Sequence, residues 1–181
     1  MRVITGTAGG RKLKSPSGNA VRPTTDHVKQ AIFNILQFDM EGRRVLDLFG
    51  GTGQMGIEAI SRGAREAVFI DSSRTSVSLI RENLKLCGFR AEVLQTDALS
   101  FLQRGDKFDI IFVDPPYDAG LYEPVLHRIN AVDNLNEGGI IICEARAGEV
   151  LPELQPPYGK LRERDYGNIK ICIYTRNAAT E

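Results

Sequence analysis

Short apolar runs typical of buried strands alternate with stretches of helical periodicity through most of this 181-residue chain. The strand-like runs cover residues 43–49, 67–71, 91–95, 108–113 and 139–145. Between them, apolar residues recur three and four positions apart, as Val77, Ile80, Leu84 and Cys87 do. This alternation predicts an α/β fold, with parallel strands and helices on both faces of the sheet.

The C-terminal part of the chain departs from this alternation. Two strand-like runs, residues 161–166 and 169–174, follow each other with only Gly167-Asn168 between them. A spacing this short leaves no room for a helix, so the sheet is predicted to end in a hairpin with an antiparallel strand.

The N-terminal stretch is basic, although the net charge of the chain is zero. Residues 6–23 are rich in Gly, Ser and Lys and predict a hairpin or arm, and a helix is predicted to begin near residue 25 with Thr24 or Thr25 as its N-cap. The first thirty residues carry a surplus of five positive charges. This surplus fits a polyanion partner, and it also fits a solvated surface. The cations are Arg2, Arg11, Lys12, Lys14, Arg22 and Lys29.

Length and composition predict one soluble domain, with 42% hydrophobic and 25% charged residues. We assign residues 1–23 to the basic arm, 24–176 to the main domain and 177–181 to a tail.

No apolar run is long enough for a membrane helix or a signal peptide, which predicts a cytoplasmic protein without a membrane partner. The three cysteines are predicted to be buried free thiols, and the two histidines lack ligand partners at metal-site spacing, so no metal is predicted.

The first strand runs into a glycine-rich turn, Asp47-Leu-Phe-Gly-Gly-Thr-Gly-Gln-Met-Gly56. Gly51, Gly53 and Gly56 satisfy the G-x-G-x-x-G pattern that lets a backbone approach a bound nucleotide at a strand-to-helix turn. Asp71 lies 20 residues after Gly51, where an acidic side chain can accept hydrogen bonds from ribose hydroxyls. At this point both NAD and S-adenosylmethionine fit.

Asp47 favours S-adenosylmethionine over NAD. A carboxylate at the end of the first strand would oppose the anionic pyrophosphate of NAD, whereas S-adenosylmethionine presents a sulfonium and an ammonium group. Asp97 follows the third strand, where it could accept from the adenine amino group or cap the next helix. The predicted cofactor-binding residues are Asp47, Phe49, Gly51, Gly53, Asp71, Asp97, Ala98 and Asp114.

Asp114-Pro115-Pro116-Tyr117 follows the fourth strand and resembles the [DNS]-P-P-[YF] motif of amino methyltransferases. The amine of a nucleic-acid base is a poor nucleophile, because its lone pair is delocalised into the ring. Asp114 and the Pro115 carbonyl can accept its two N–H bonds, while Tyr117 stacks on the base. The prolines make the turn rigid, and these four residues are the predicted catalytic set.

Nearly the whole chain is similar to the RsmD family of bacterial 16S ribosomal RNA guanine-N2 methyltransferases. The resemblance is carried by Arg2-Val-Ile-Thr-Gly, Gly10-Arg-Lys-Leu, Arg22-Pro-Thr-Thr, Asp47 to Gly56, Asp114 to Tyr117, Gly138-Gly139 to Glu144, and Asp165-Tyr-Gly167. It implies a class I S-adenosylmethionine-dependent methyltransferase with a Rossmann-like, mostly parallel seven-stranded sheet and an N-terminal β-hairpin that holds RNA. At position 71 the chain has Asp where the family often has the longer Glu.

The resemblance implies methyl transfer to N2 of a guanine, with S-adenosylhomocysteine as the second product. The expected partner is small-subunit ribosomal RNA, as naked RNA or in a 30S particle, and a monomer is expected. The expected RNA-binding residues are Arg2, Arg11, Lys12, Lys14 and Arg22.

Adenine N6 in DNA and the glutamine amide of a protein are alternative targets, because similar motifs serve similar amines. An NAD-binding oxidoreductase and a non-catalytic RNA-binding module are alternatives from other classes.

Overall fold

The computed structural model describes residues 1–16, 25–36 and 40–177. The chain forms two compact units, Met1–Thr96 and Asp97–Glu181. Within the described part of the chain, no helix is both long enough and apolar enough to cross a membrane.

The first unit consists of an N-terminal hairpin followed by alternating helices and parallel strands. Its elements are α1 (Asp26–Ile35), β1 (Arg44–Asp47), α2 (Gln54–Ser61), β2 (Glu66–Asp71), α3 (Arg74–Cys87) and β3 (Glu92–Gln95). Strand β2 pairs in parallel with β1 on one side and with β3 on the other. In this register Asp47 lies opposite Phe69, and Asp71 lies opposite Gln95.

The second unit begins with α4 and ends with an antiparallel hairpin. Its elements are α4 (Ala98–Leu102), β4 (Phe108–Val113), α5 (Tyr122–Val132), β5 (Leu135–Arg146), β6 (Tyr158–Tyr166) and β7 (Ile169–Arg176). Strands β4 and β5 pair in parallel, whereas β7 pairs antiparallel with both β5 and β6. The strand order over all seven strands is β3-β2-β1-β4-β5-β7-β6. The mostly parallel seven-stranded α/β fold and the closing antiparallel strand are therefore confirmed.

Local sequence explains where the helices begin and end. The Thr25 hydroxyl accepts a hydrogen bond from the Val28 amide, which selects Thr25 as the N-cap of α1. Ser73 caps α3 in the same way, and Gly88 ends that helix in the left-handed conformation. The main differences from the predicted bounds are at β5 and β6. These strands begin four and three residues earlier than the strand-like runs in the sequence indicate.

The buried core follows the predicted strands and helix faces. Val45, Phe69 and Ile80 are fully buried in the first unit, and Ile111 and Cys143 are fully buried in the second. Helix α2 lies so close to β2 that a Cβ on Gly56 would be 2.3 Å from the Phe69 ring, so the third glycine of the pattern permits this packing. All three cysteines are free and buried, as predicted.

Candidate functional site

The glycine-rich loop between β1 and α2 is bound to the end of β2 by two backbone donors. The Gly50 amide donates to the Ile70 carbonyl at 2.8 Å, and the Gly51 amide donates to Asp71 Oδ2 at 2.9 Å. Gly51 and Gly53 have φ angles of +55° and +79°, and Gly53 is the N-cap of α2. The left-handed conformation at two alternate positions requires glycine and gives the tight turn that the pattern predicts.

Asp47 is a buried carboxyl at the end of β1, with 4% of its surface exposed. Its Oδ2 atom accepts a hydrogen bond from the Gly56 amide at 3.0 Å. The pKa of Asp47 is raised to about 7, chiefly by burial and also by the nearby charge of Asp71, while the hydrogen bond from the Gly56 amide opposes the shift. A cationic ligand group beside Asp47 would favour the ionised form of this buried acid and so bind to it.

Asp71 shapes the turn as well as facing solvent. Its Oδ2 atom accepts from the Gly51 amide, and its Oδ1 atom accepts from the Ser73 amide at 2.8 Å. Each carboxylate oxygen can accept a second hydrogen bond, which leaves acceptors for ribose hydroxyls. The contact with ribose stays a prediction. Phe49, also predicted to contact the cofactor, is half-buried at the start of the same loop.

The geometry and chemistry of this loop fit a cationic nucleoside cofactor. Gly51 leaves open space where a side chain would stand, since the nearest atom to a Cβ there, apart from its two chain neighbours, would be the Phe49 carbonyl oxygen at 3.9 Å. Asp47 supplies an acid at the end of β1, and Asp71 supplies acceptors at the end of β2. Within residues 1–16, 25–36 and 40–177, no three His, Cys, Asp or Glu side chains converge as a metal-binding group would.

Asp97 caps helix α4 in the second unit. Its Oδ1 atom accepts from the Ser100 amide at 2.9 Å, and hydrogen bonds from the side chain and backbone of Ser100 hold the pKa of Asp97 below its usual value. The capping role considered for Asp97 is therefore present, and acceptance from adenine stays a prediction. Ala98 is buried as the first residue of the helix.

The turn Asp114–Tyr117 leaves β4 directly after Val113. Asp114 and Tyr117 are half-buried, Pro115 is buried and Pro116 is exposed. Helix α5, which follows this turn, is bound to β5, because the Tyr122 hydroxyl donates to the buried Glu144 carbonyl at 2.7 Å. Burial raises the pKa of Tyr122, and the charge of Asp114 raises it further, so this phenol stays protonated.

Arg146, which the sequence analysis did not single out, contacts this turn. The Arg146 guanidinium lies 4.8 Å from the centre of the Tyr117 ring, and its Nη1 atom pairs with Asp118 Oδ1 at 3.0 Å. Parallel pairing places Val113 opposite Cys143, so the turn after β4 and the end of β5 lie at the same edge of the sheet. The sequence alone does not give this strand pairing, so it could not predict that Arg146 contacts the turn.

The N-terminal hairpin is docked on the rest of the first unit. Arg2 pairs with Lys12 across the hairpin, and the Asn83 side chain accepts from the Lys14 amide and donates to the carbonyls of Lys14 and Thr52. Asn83 therefore joins the hairpin to the glycine-rich loop. Four predicted RNA-binding residues have exposed side chains here, and Arg22 lies outside the described residues. The four are Arg2, Arg11, Lys12 and Lys14.

Lys29 does not belong to the basic surface, contrary to its place in the predicted charge cluster. Its side chain is fully buried. The Nζ atom donates to the Arg2 carbonyl and lies 3.6 Å from Glu58 Oε2. Burial lowers the pKa of Lys29, while Glu58 and Asp26 oppose the shift. Glu58 also accepts from the Ile4 and Thr5 amides, so this buried pair anchors the hairpin.

Comparisons with known proteins agree with this fold. The family model described as Conserved hypothetical protein 95 matches residues 1–175. Ribosomal RNA small subunit methyltransferase D of Escherichia coli K12 is 35% identical over 183 residues, which cover 100% of this chain and 92% of that protein. YlbH of Bacillus subtilis 168 is 37% identical over 182 residues, which cover 97% of this chain and 99% of that protein.

A solved structure of yhhF from Escherichia coli is 35% identical, and the alignment covers 98% of each chain with a TM-score of 0.86. The likeness therefore extends from the N-terminal hairpin to the closing strands. The chain belongs to the RsmD family and is a methyltransferase enzyme.

Proposed function

We propose that this enzyme transfers a methyl group from S-adenosylmethionine to the N2 amine of a guanine in small-subunit 16S ribosomal RNA. The observation that carries the proposal is the complete Asp114–Tyr117 turn directly after β4 in a member of this family. The name of the Escherichia coli relative, a ribosomal RNA small subunit methyltransferase, supports the class of substrate.

The first unit supplies the proposed cofactor site. S-adenosylmethionine supplies an electrophilic methyl group on a positively charged sulfur when it is bound. The glycine-rich loop admits the nucleoside, Asp47 offers its carboxylate to the cationic part, and the remaining lone pairs of Asp71 accept from ribose. We also propose Phe49, Asp97, Ala98 and Asp114 as cofactor contacts, because each lies within three residues of the end of a strand.

The second unit supplies the proposed amine site. Asp114 and the Pro115 carbonyl accept the two N–H bonds of the guanine amine, which directs its lone pair toward the methyl group, while Pro116 stiffens the turn and Tyr117 stacks on the base. No base is needed before transfer, because the nitrogen becomes cationic and acidic as the new bond forms. The target base has to be unstacked, which suits a loop or a 30S assembly intermediate better than a regular duplex.

The basic hairpin is the proposed RNA-holding part, within one domain formed by residues 1–23 and 24–176, with 177–181 as a tail. Its exposed cations can pair with phosphates without reading the sequence. We further propose that the enzyme acts in the cytoplasm as a monomer, without a metal ion and without a membrane.

Cofactor affinity should depend on pH because Asp47 has to be ionised in the complex. Below its pKa of about 7, binding requires release of the Asp47 proton. We therefore expect the Kd for S-adenosylmethionine to rise about tenfold for each pH unit below that value. Calorimetry at pH 5.5, 6.5 and 7.5 measures this, and Asp47→Asn should remove most of the dependence. An equal Kd for the wild type at all three values would contradict the role of Asp47.

The same shift has the opposite sign for folding of the unliganded protein. The pKa of Asp47 is higher in the folded state than its ordinary value of 3.8, so the folded state holds this proton more tightly than the unfolded state. Its contribution to the free energy of unfolding is complete below about pH 4 and is lost as pH rises through about 7. Urea unfolding of wild type and Asp47→Asn across this range isolates the contribution.

Replacing Arg11 and Lys12 together with alanine should weaken RNA binding without changing cofactor affinity. Loss of two phosphate contacts should reduce the slope of log affinity against log salt by about 1 to 2. Filter binding of small-subunit RNA between low and moderate salt measures this slope. Arg43→Ala and Arg65→Ala, outside the hairpin, form a charge-matched control. Unchanged RNA affinity in the double variant would make the hairpin cations a solvated surface only.

The proposed function is tested by transfer of tritium from labelled S-adenosylmethionine to small-subunit particles that lack modification. Digestion of the RNA should place the label in N2-methylguanosine. Label in another nucleoside, or in DNA or a protein glutamine offered in competition, would move the target. No transfer despite measurable cofactor binding would remove ribosomal RNA as the substrate.

A further inference from the structure

Arg146 covers one face of the Tyr117 ring. Its guanidinium carbon lies 4.8 Å from the ring centre, within the range of a cation–π contact. Arg146 is the last residue of β5, and its backbone pairs with Ile169 of β7. The guanidinium therefore extends from a strand end whose backbone is fixed on one side by the closing hairpin.

A second contact fixes the same guanidinium. Arg146 Nη1 lies 3.0 Å from Asp118 Oδ1, and Asp118 is the residue directly after Tyr117. Asp118 has a φ angle of +63°, a left-handed conformation that reverses the chain at this point. Arg146 thus contacts two consecutive side chains of one turn, through the ring of the first and the carboxylate of the second.

We infer that Arg146 is a positioning residue, which with Asp118 holds the Tyr117 ring so that the target base stacks on the face opposite the guanidinium. The inference deepens the proposed function and depends on it. A planar guanidinium suits this role because it stacks on an aromatic face and pairs with a carboxylate at the same time. A lysine ammonium keeps the charge but lacks the planar surface.

The other role for an exposed arginine in an RNA-modifying enzyme is a phosphate contact. The two roles differ in what they couple to. A positioning arginine acts through Tyr117 and lowers kcat when it is removed, whereas a phosphate contact acts independently of Tyr117 and changes the salt dependence of binding. The contacts to Tyr117 and Asp118 favour positioning, because they already direct the guanidinium onto the turn.

The first experiment compares Arg146→Ala and Arg146→Lys in wild-type and Tyr117→Ala backgrounds, with single-turnover transfer to unmodified small-subunit particles. Arg146→Ala should lower the rate at saturating RNA about tenfold, and Arg146→Lys should lower it less. In the Tyr117→Ala background neither change should have a further effect. The matched control is Arg164→Ala, which removes a guanidinium 5.4 Å from the Tyr166 ring in β6 and should leave the rate unchanged.

The second experiment observes the ring without catalysis. All five tyrosines are replaced by 3-fluorotyrosine, and the Tyr117 fluorine resonance is assigned with Tyr117→Phe. Arg146→Ala should shift this resonance, and Arg164→Ala should not. An unshifted resonance overturns the inference, as does a full tenfold loss in the Tyr117→Ala background or a salt slope that falls by about 1 in Arg146→Ala.

Failure of the proposed function gives a different result. The wild-type enzyme would then label a nucleoside other than N2-methylguanosine, or label DNA or protein. The fluorine shift does not depend on the substrate, and the rate comparison applies to whichever amine is labelled.

Discussion

Asp114→Ala should lower kcat for methyl transfer by about 10³-fold, an effect of the size seen when one essential polar contact to a reacting group is removed. The affinity for S-adenosylmethionine should stay within about twofold, because most proposed cofactor contacts lie in the first unit. The physical reason is that the amine loses the acceptor that directs its lone pair. Single-turnover transfer to small-subunit particles, with calorimetry of cofactor binding, measures both quantities.

Two variants separate this role from a general effect of charge. Asp114→Asn keeps one acceptor oxygen and should lose only about tenfold, the difference between a charged and a neutral acceptor. Asp106→Ala removes an aspartate that pairs with Arg104 at 3.1 Å, away from the motif, and should be neutral. A fully active Asp114→Ala enzyme would exclude the assigned role.

Glu58→Ala should lower the free energy of unfolding by about 3–5 kcal/mol, because it removes the buried carboxylate that pairs with the buried Lys29 ammonium. Such a loss is a large fraction of the total stability of a domain, which is about 5–15 kcal/mol. The same change removes the acceptor for the Ile4 and Thr5 amides and for Arg62 Nε. Urea unfolding followed by circular dichroism measures the loss.

The control is a glutamate in an exposed pair. Glu66 pairs with Arg44 at 3.0 Å near the surface, and Glu66→Ala should cost less than about 1 kcal/mol. Adding Lys29→Met to Glu58→Ala should recover part of the stability, since the unpaired buried charge is then absent. Equal losses for Glu58→Ala and Glu66→Ala would show that the buried pair does not anchor the hairpin.

The fold could be predicted from the sequence because local and global signals agree. Helical periodicity and capping preferences predict the start of α1 at Thr25 and the end of α3 at Gly88, and apolar runs mark most of the strands. The early starts of β5 and β6 could not be predicted from the apolar pattern. Asn136-Glu137-Gly138 separates Leu135 from the apolar run of β5, and β6 begins at Tyr158, directly after Pro156-Pro157.

The candidate site could be predicted only where one short segment carries the chemistry. The glycine-rich loop and the Asp114–Tyr117 turn are continuous in sequence, and the structure gives both the expected local context. Lys29, Arg146 and Asn83 contact residues 27 or more positions away. Their roles depend on tertiary distance, and a count of charges assigned Lys29 to the surface for that reason.

The docking of the N-terminal hairpin limits which other hairpins this fold could accept in its place. Glu58 and Asn83 hold backbone groups of the hairpin, and the Ser61 hydroxyl accepts from the Ala8 amide while donating to the Thr5 carbonyl. A hairpin grafted from a relative would meet these three side chains on α2 and α3. A chimaera that separates the hairpin from Glu58, Ser61 and Asn83 should therefore lose these hydrogen bonds.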